Sequence, residues 1–301
     1  MAQAKANGIA IEYESFGGES DPVILLIMGF SAQLIMWPVA LCERLASKGF
    51  RVIRFDNRDI GKSTHLSQLG APNIGEAMMK LMSGQPVAAP YLLDDMAKDA
   101  VGLLDALGIK CAHIVGASMG GMIAQIVAAK YPERTISLTS IMSTTGKRDL
   151  PQAKPEAMAA LTTPPASDSR EDRIAQGMKT WRVIGSPGFP ATEEELRATV
   201  EASVDRVPYD PAGVGRQLLA IVASPPRNDI LKTVKAPAQV IHGEADPLVP
   251  VEGGKDTAAS IPGAKLTLVP GMAHDFTQAL LPIYLKHIGD FVQSVEKAKA
   301  T

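Results

Sequence analysis

Short apolar runs alternate with helical segments along most of this chain, and this alternation constrains the fold more than any other sequence feature. Six runs are bounded by turn residues and are almost continuously apolar: residues 23–28, 51–55, 112–115, 136–142, 238–241 and 265–269. Strands of this kind are buried on both faces, which is typical of a parallel sheet between two layers of helices. The predicted class is therefore α/β, with a mostly parallel, doubly wound sheet.

The segments around these runs complete the expected architecture. Helical periodicity is found at residues 39–48, 92–107, 119–130 and 277–295. Ile9–Phe16 (IAIEYESF) alternates between apolar and polar residues instead. That pattern predicts an antiparallel edge strand with one face in water.

The alternation breaks after residue 142. Residues 143–228 are rich in proline, methionine, alanine and charged residues, and no strand is evident among them. We interpret this stretch as a helical cap over the carboxyl ends of the strands, inserted into a core formed by residues 1–142 and 229–301. A second, shorter interruption covers residues 66–90.

Composition excludes several classes of protein. The chain has 301 residues, is 46% hydrophobic and 21% charged, and carries a net charge of −2, which disfavours a nucleic-acid surface or a polybasic membrane patch. Residues 1–16 lack the features of a secretory signal. Cys42 and Cys111 fit buried thiols better than a disulfide framework. We therefore expect a cytoplasmic protein without nucleic-acid or membrane partners, and a homodimer is left open.

The strongest motif lies at residues 115–121, which read V-G-A-S-M-G-G. Gly116, Ser118 and Gly120 form a G-x-S-x-G pattern between a predicted strand and a predicted helix. In that setting a serine is held on a sharp, strained turn with its hydroxyl clear of the sheet. The residues two before and two after the serine must be small, because they nearly touch across the turn. Ser118 is the candidate nucleophile; the alternative is a glycine-rich loop that binds phosphate or merely turns the chain.

A serine hydroxyl needs an adjacent base, and one histidine has a suitable position. His274 lies in the loop P-G-M-A-H-D, just beyond the last predicted strand, at the edge of the sheet where open α/β folds bind ligands. The other histidines have less suitable positions, within predicted strands, in the C-terminal helix or in an earlier loop: His113, His242, His287 and His65.

Asp246 is the candidate acid that orients His274. It follows the run at 238–241 and gives the chain order nucleophile, acid, histidine. Glu244 in the same loop comes too soon after the strand, and Asp256 is expected to be an exposed helical residue.

Two backbone N–H groups are candidate oxyanion donors. Met119 lies at the start of the helix after the serine, where N–H groups point outward. Phe30 follows a buried strand, and Gly29 before it permits a close approach to the serine.

No cofactor or metal is expected. The chain has no H-E-x-x-H motif and no Cys/His cluster. Residues 61–64 (GKST) resemble the end of a P-loop, but Asp56 stands where the earlier glycine is required. Asp56 and Arg58 are predicted to brace the loop below the active site.

Together these motifs resemble the α/β-hydrolase superfamily over nearly the whole chain. The matching segments are I-M-G-F, D-N-R-D-I-G-K-S-T at residues 56–64, G-A-S-M-G-G, and the loops of Asp246 and His274. Within the superfamily the chain is similar to the esterase branch that includes aclacinomycin methylesterase, which shares the I-M-G segment and the W-P pair at residues 37–38.

The resemblance implies the α/β-hydrolase fold with a helical cap after the sixth strand. It also implies a triad of Ser118, Asp246 and His274, with Phe30 and Met119 as oxyanion donors. A serine at the turn sets aside the branches that use aspartate or cysteine there. One departure is that Met28 stands where many members carry histidine, although a backbone donor does not depend on that side chain.

The predicted function is a serine carboxylesterase that hydrolyses small to medium apolar carboxylic esters through an acyl-enzyme on Ser118. The predicted substrate contacts are Gly29, Met178, Trp181 and Phe189. Methionines suit an apolar pocket, but they equally suit packing of the cap on the core: Met78, Met79, Met82, Met158 and Met178. A cofactor-free perhydrolase or haloperoxidase, a lactonase, a carbon–carbon bond hydrolase and a non-catalytic ligand-binding protein stay open as alternatives.

Overall fold

Eight strands form a single mixed sheet in the computed structural model, which describes residues 1–299. Their order across the sheet is β1-β2-β4-β3-β5-β6-β7-β8. From β3 onward the paired strands are parallel, whereas β2 is antiparallel to both β1 and β4. The strands are β1 (Ala2–Ala6), β2 (Ile9–Phe16), β3 (Val23–Ile27), β4 (Arg51–Phe55), β5 (Ala112–Ala117), β6 (Thr135–Ile141), β7 (Ala238–Gly243) and β8 (Lys265–Val269). The predicted mostly parallel sheet is confirmed.

The N-terminal hairpin corrects one prediction. β1 pairs with β2 through a two-residue turn, in which Asn7 and Gly8 have φ values of 47° and 80°. Such left-handed pairs match the twist of a hairpin. β2 is therefore covered by β1, and the prediction of Ile9–Phe16 as an edge strand is wrong. β1 was missed because A-Q-A-K-A contains no strong strand former, and counting it makes β6 the sixth strand, after which the helices are inserted.

Eleven α-helices within residues 1–299 surround the sheet: α1 (Val39–Ala46), α2 (Ile74–Met82), α3 (Leu93–Ala106), α4 (Met119–Lys130), α5 (Pro155–Thr162), α6 (Arg170–Ile184), α7 (Glu193–Arg206), α8 (Pro211–Ala223), α9 (Asn228–Leu231), α10 (Val251–Ser260) and α11 (Leu281–Lys299). Apolar side chains of α3 and α4 belong to one buried cluster, and those of α1 and α11 belong to another. Helices thus cover both faces of the sheet, as expected of a doubly wound fold. No helix within residues 1–299 is both long and apolar enough to cross a membrane.

The loop after β4 joins the sheet to the inserted helices. Asp56 accepts backbone N–H groups from Leu34 at 2.7 Å and Lys62 at 2.8 Å, and it pairs with Arg206 at the end of α7. Arg58 donates two hydrogen bonds to buried Asp99 on α3, at 2.6 and 2.7 Å. These contacts hold the loop after β4 in place, in agreement with the role predicted for Asp56 and Arg58.

Helix α8 is fixed to the same loop by a second buried pair. Arg216 donates from Nε and Nη2 to the two carboxylate oxygens of Asp59, at 2.9 and 2.7 Å. Tyr91 Oη also donates to Asp59, at 2.8 Å. As predicted, residues 143–228 contain no strand. Their separation from the rest as a cap stays a prediction.

Candidate active site

Ser118 occupies a strained position between β5 and α4. Its backbone has φ 55° and ψ −122°, a region that residues with a side chain rarely adopt. Hydrogen bonds hold the peptide there: the Ser118 N–H donates to the Ile141 carbonyl at 2.9 Å, and Ser143 Oγ donates to the Ser118 carbonyl at 2.8 Å. The serine side chain lines a cavity at the carboxyl ends of the strands.

Glycines make this turn sterically possible. A Cβ on Gly116 would lie 2.0 Å from the Gly120 carbonyl oxygen, and one on Gly120 would lie 2.0 Å from the Ile27 carbonyl oxygen. Because neither backbone oxygen can move away without breaking a strand or a helix, no larger residue fits at these two positions. The G-x-S-x-G pattern is thus required by the packing around Ser118.

His274 and Asp246 meet across two loops that follow neighbouring strands. His274 Nδ1 lies 2.7 Å from Asp246 Oδ2, and both residues are buried. The other oxygen, Asp246 Oδ1, accepts the backbone N–H groups of Leu248 and Val249, each at 2.9 Å. With its partner fixed at Nδ1, the His274 ring leaves Nε2 for a second group. His274 lines the same cavity as Ser118.

The turn after β3 lies close to the serine. A Cβ on Gly29 would lie 3.0 Å from Ser118 Cβ, so the two backbones are close together. Phe30 lines the cavity beside them. Met119 is the first residue of α4, and the helix itself cannot satisfy its N–H. The Met28 carbonyl accepts a hydrogen bond from Asn57 Nδ2 at 2.8 Å, which fixes the end of β3.

The cavity has a volume of about 530 Å³. Apolar side chains form much of its wall, among them Met36, Trp181, Ile184 and Phe276. Its size and lining are those of a site for a mainly apolar small molecule.

The predicted substrate contacts divide into two groups. Gly29 and Trp181 line the cavity. Met178 instead packs in a small hydrophobic cluster with Ile174 and Val200, and Phe189 packs against a core cluster. Among the residues of 1–299 that line the cavity, neither Met178 nor Phe189 is found.

The methionines of the shorter interruption also lie elsewhere. Met79 and Met82 on α2 are 67% and 89% exposed. They point away from the core, although Ile74 at the start of the same helix lines the cavity.

A second histidine–carboxylate pair in the cavity wall was not predicted. His65 Nδ1 lies 2.6 Å from Asp210 Oδ2, and His65 Nε2 lies 3.0 Å from the Gly61 carbonyl. Burial alone would lower the pKa of His65, but hydrogen bonds to Asp210 and Gly61 outweigh it, so the pKa is raised. The only sequence signal was Asp210 before Pro211, which is typical of a helix N-cap.

Asp59 lies close enough to this pair to suggest metal ligation. Both of its carboxylate oxygens, however, already accept hydrogen bonds from Arg216. A guanidinium cation in that position disfavours a second cation, so the donor set does not fit a metal.

Within residues 1–299, the competing candidates His113, His242 and Asp256 do not line the cavity. His113 is buried between Ser137 Oγ at 2.7 Å and Glu296 at 3.1 Å. His242 is buried, and its Nε2 lies 2.8 Å from the Val249 carbonyl and 3.7 Å from Asp246 Oδ2. Both are core histidines, as predicted. Asp256 was expected to be exposed, but this is wrong: it is half-buried and accepts hydrogen bonds from Thr145 and Asn228, which hold α10 against its neighbours.

This geometry agrees with the comparison to protein families. Residues 22–277 match the family described as alpha/beta hydrolase fold. The chain therefore belongs to the α/β-hydrolase fold family.

Within that family, two similar relatives are methylesterases. Rhodomycin D methylesterase from Streptomyces sp. strain C5 is 27% identical over 286 residues, which covers 87% of each chain. The enzyme of the same description from Streptomyces peucetius is 26% identical over 283 residues, again covering 87% of each. Among solved structures, an enol-lactonase from Burkholderia xenovorans superimposes with a TM-score of 0.71 at 22% identity, covering 98% of this chain and 100% of the other. The similarity to methylesterases predicted from the sequence is confirmed.

Proposed function

We propose that this protein is a serine carboxylesterase that uses Ser118 as nucleophile, His274 as general base and Asp246 as the residue that orients His274. The observation that carries the proposal is the convergence of Ser118, on its strained turn, and the Asp246-bonded His274 in one cavity. Ester hydrolysis is the activity that the methylesterase relatives support.

The first step is acylation. As Ser118 Oγ attacks the ester carbonyl carbon, its proton passes to His274 Nε2. Asp246 stabilises the imidazolium that forms, because its carboxylate accepts from Nδ1 at 2.7 Å. His274 then donates that proton to the leaving alcohol, and the acyl group stays on Ser118.

The second step is hydrolysis of the acyl-enzyme. His274 takes a proton from water, which attacks the acyl carbon, and the proton returns to Ser118 as the carboxylic acid leaves. In both steps the carbonyl oxygen becomes an oxyanion. The N–H groups of Phe30 and Met119 are the proposed donors to it, because Gly29 brings the first beside Ser118 and α4 begins at the second. No cofactor is needed.

The proposed substrates are small to medium apolar carboxylic esters. The cavity of about 530 Å³ has room for them, and Trp181 and Phe276 offer aromatic surface. The proposed location is the cytoplasm, in keeping with the two free cysteines, Cys42 and Cys111.

Replacement of Ser118 tests the proposal. Ser118→Ala should lower kcat on nitrophenyl esters by at least about a thousandfold, because it removes the group that forms the acyl bond. Ser294→Ala is the matched control, since Ser294 Oγ donates to the Phe291 carbonyl within α11 and lies outside this cavity. Ordinary esterase activity in purified Ser118→Ala protein would end the proposal.

A substrate panel separates the alternatives that share this triad. Nitrophenyl esters, tested over a series of acyl lengths, should be hydrolysed faster than lactones and β-diketones. Peroxide-dependent halogenation of a dye should be absent. Preferred cleavage of a lactone or a β-diketone would replace the carboxylesterase assignment with that activity while leaving the triad in place.

A further inference from the structure

The loop that carries His274 is held by a segment of the inserted helices. Residues 184–188, where α6 ends, lie against residues 271–275. Hydrogen bonds join them at several points: the His274 N–H donates to the Ile184 carbonyl at 3.0 Å, the Ala273 N–H donates to Ser186 Oγ at 2.7 Å, and the Gly188 N–H donates to the Gly271 carbonyl at 2.9 Å. Two of these bonds come from His274 itself and the residue before it.

Ser186 connects this contact to a buried carboxylate. Its backbone N–H donates to Asp275 Oδ2 at 2.9 Å, and its hydroxyl donates to Asp275 Oδ1. Because the same hydroxyl accepts the Ala273 N–H, it joins the residues on both sides of His274. Ser186 is 2% exposed and Asp275 is 7% exposed, so water does not compete for these bonds.

The two segments are in direct contact. A Cβ on Gly188 would lie 2.9 Å from Gly271 Cα, and a Cβ on Gly185 would lie 3.1 Å from Asp275 Oδ2. From the core side, Tyr284 Oη donates to the Asp275 carbonyl at 2.9 Å. The His274 loop is therefore fixed between α11 and the end of α6.

We propose that Ser186 is a positioning residue that acts through Asp275 and Ala273 to keep the His274 imidazole in place for Ser118. This inference rests on the proposed role of His274 as the base. Within residues 1–299, Ser186 does not line the cavity, so we expect it to affect kcat and not substrate binding. A displacement of the base by about 1 Å is enough to cost about a hundredfold in rate.

Two substitutions of Ser186 separate hydrogen bonding from packing. Ser186→Ala removes the hydroxyl and leaves a small void, whereas Ser186→Cys fills the space with a thiol that bonds weakly. We expect each variant to lower kcat on a nitrophenyl ester by about 10- to 100-fold with KM within about twofold. Ser169→Ala is the matched control. Ser169 caps the other end of α6 through the Asp172 N–H at 3.1 Å, so its loss weakens the same helix without touching the His274 loop.

A double-variant cycle tests the route through Asp275. If Ser186 acts through that carboxylate, Ser186→Ala combined with Asp275→Asn should cost little more than the larger single loss. Wild-type kcat in either Ser186 variant, a loss confined to KM, or an equal loss in Ser169→Ala would overturn the inference.

Parallel assays of Ser118→Ala and His274→Ala keep the two claims distinguishable. Inactive Ser118 and His274 variants with a fully active Ser186→Ala would contradict only the role of Ser186. Active Ser118 or His274 variants would contradict the proposed function itself.

Discussion

At the scale of residues, two histidine–aspartate pairs whose histidines line one cavity have different surroundings. His274 and Asp246 are both buried, and the second oxygen of Asp246 is occupied by backbone N–H groups. His65 and Asp210 have side chains that are 27% and 26% exposed, and they join the loop after β4 to the start of α8. The first pair suits proton transfer to and from Ser118. The second suits a contact between core and inserted helices that depends on pH.

The pH dependence of the second pair follows from its shifted pKa values. The pKa of His65 is raised above its ordinary 6.5. Burial would raise the pKa of Asp210, but its hydrogen bonds to His65 and the Gly213 N–H outweigh burial, and that pKa is lowered from 3.8. The folded state therefore favours protonated His65 more than the unfolded state does. Its stabilisation is complete below pH 6.5 and is lost as the pH rises through the raised value, while the contribution of Asp210 is lost only as the pH falls through its own lowered value.

Replacement of His65 should consequently cost more stability in mild acid than in base. For His65→Asn we expect a loss in the free energy of unfolding of up to about 1 kcal/mol near pH ~5.5, and a smaller loss near pH ~8.5, because the pair is partly exposed to solvent. Urea denaturation at both pH values measures it. His287→Asn is the control with the opposite pH dependence. Because burial lowers the pKa of His287, its replacement should not cost more stability in mild acid than in base. A loss for His65→Asn that is equal at both pH values would contradict the prediction.

At the scale of elements, local signals were predictable from the sequence and nonlocal contacts were not. The glycines around Ser118 fix the start of α4, and the helix spans the predicted residues 119–130. β1 lacked a propensity signal, and only the turn at Asn7 and Gly8 marked it. The contacts of Met178 in α6 and of Ser186 just after it depend on distant segments, which the periodicity of α6 does not encode.

The attachment of α8 illustrates such a nonlocal contact. Arg216 and Asp59 are 157 positions apart in the chain, yet their side chains are 1% and 0% exposed and paired. A buried carboxylate that loses its cationic partner stays desolvated without an opposite charge to compensate it. The pair therefore ties the inserted helices to the loop below the active site.

Loss of this pair should destabilise the protein strongly. Arg216→Leu should lower the free energy of unfolding by about 3–5 kcal/mol, because the buried Asp59 carboxylate loses its cationic partner. Arg197→Leu is the matched control: Arg197 pairs with Glu201 at 3.0 Å on the surface of α7, where about 0.5 kcal/mol is expected. Chemical denaturation of both variants gives the comparison. Similar losses in the two would show that burial of the Arg216 pair is not the cause.

At the scale of the whole molecule, the sheet explains how residues far apart in sequence meet. Ser118, Asp246 and His274 follow β5, β7 and β8, which are parallel, so their carboxyl ends share one edge. The turn after β3 reaches the same edge because β3 pairs with β5. The positions of these three residues were predictable because each lies in a loop after a parallel strand, and such loops meet at the carboxyl ends of the strands. The cavity wall was less predictable, since it is completed by helices inserted after β6.

Covalent labelling of Ser118 tests the central claim most directly. In a fluorophosphonate reaction, a bond forms between Ser118 Oγ and phosphorus, fluoride leaves, and the serine proton passes to His274. Intact-mass measurement and peptide mapping should find a single adduct per chain, on Ser118. The adduct should be absent in Ser118→Ala and form much more slowly in His274→Ala. An unlabelled wild-type protein, or equal labelling of Ser118→Ala, would contradict the assignment of Ser118 as the nucleophile.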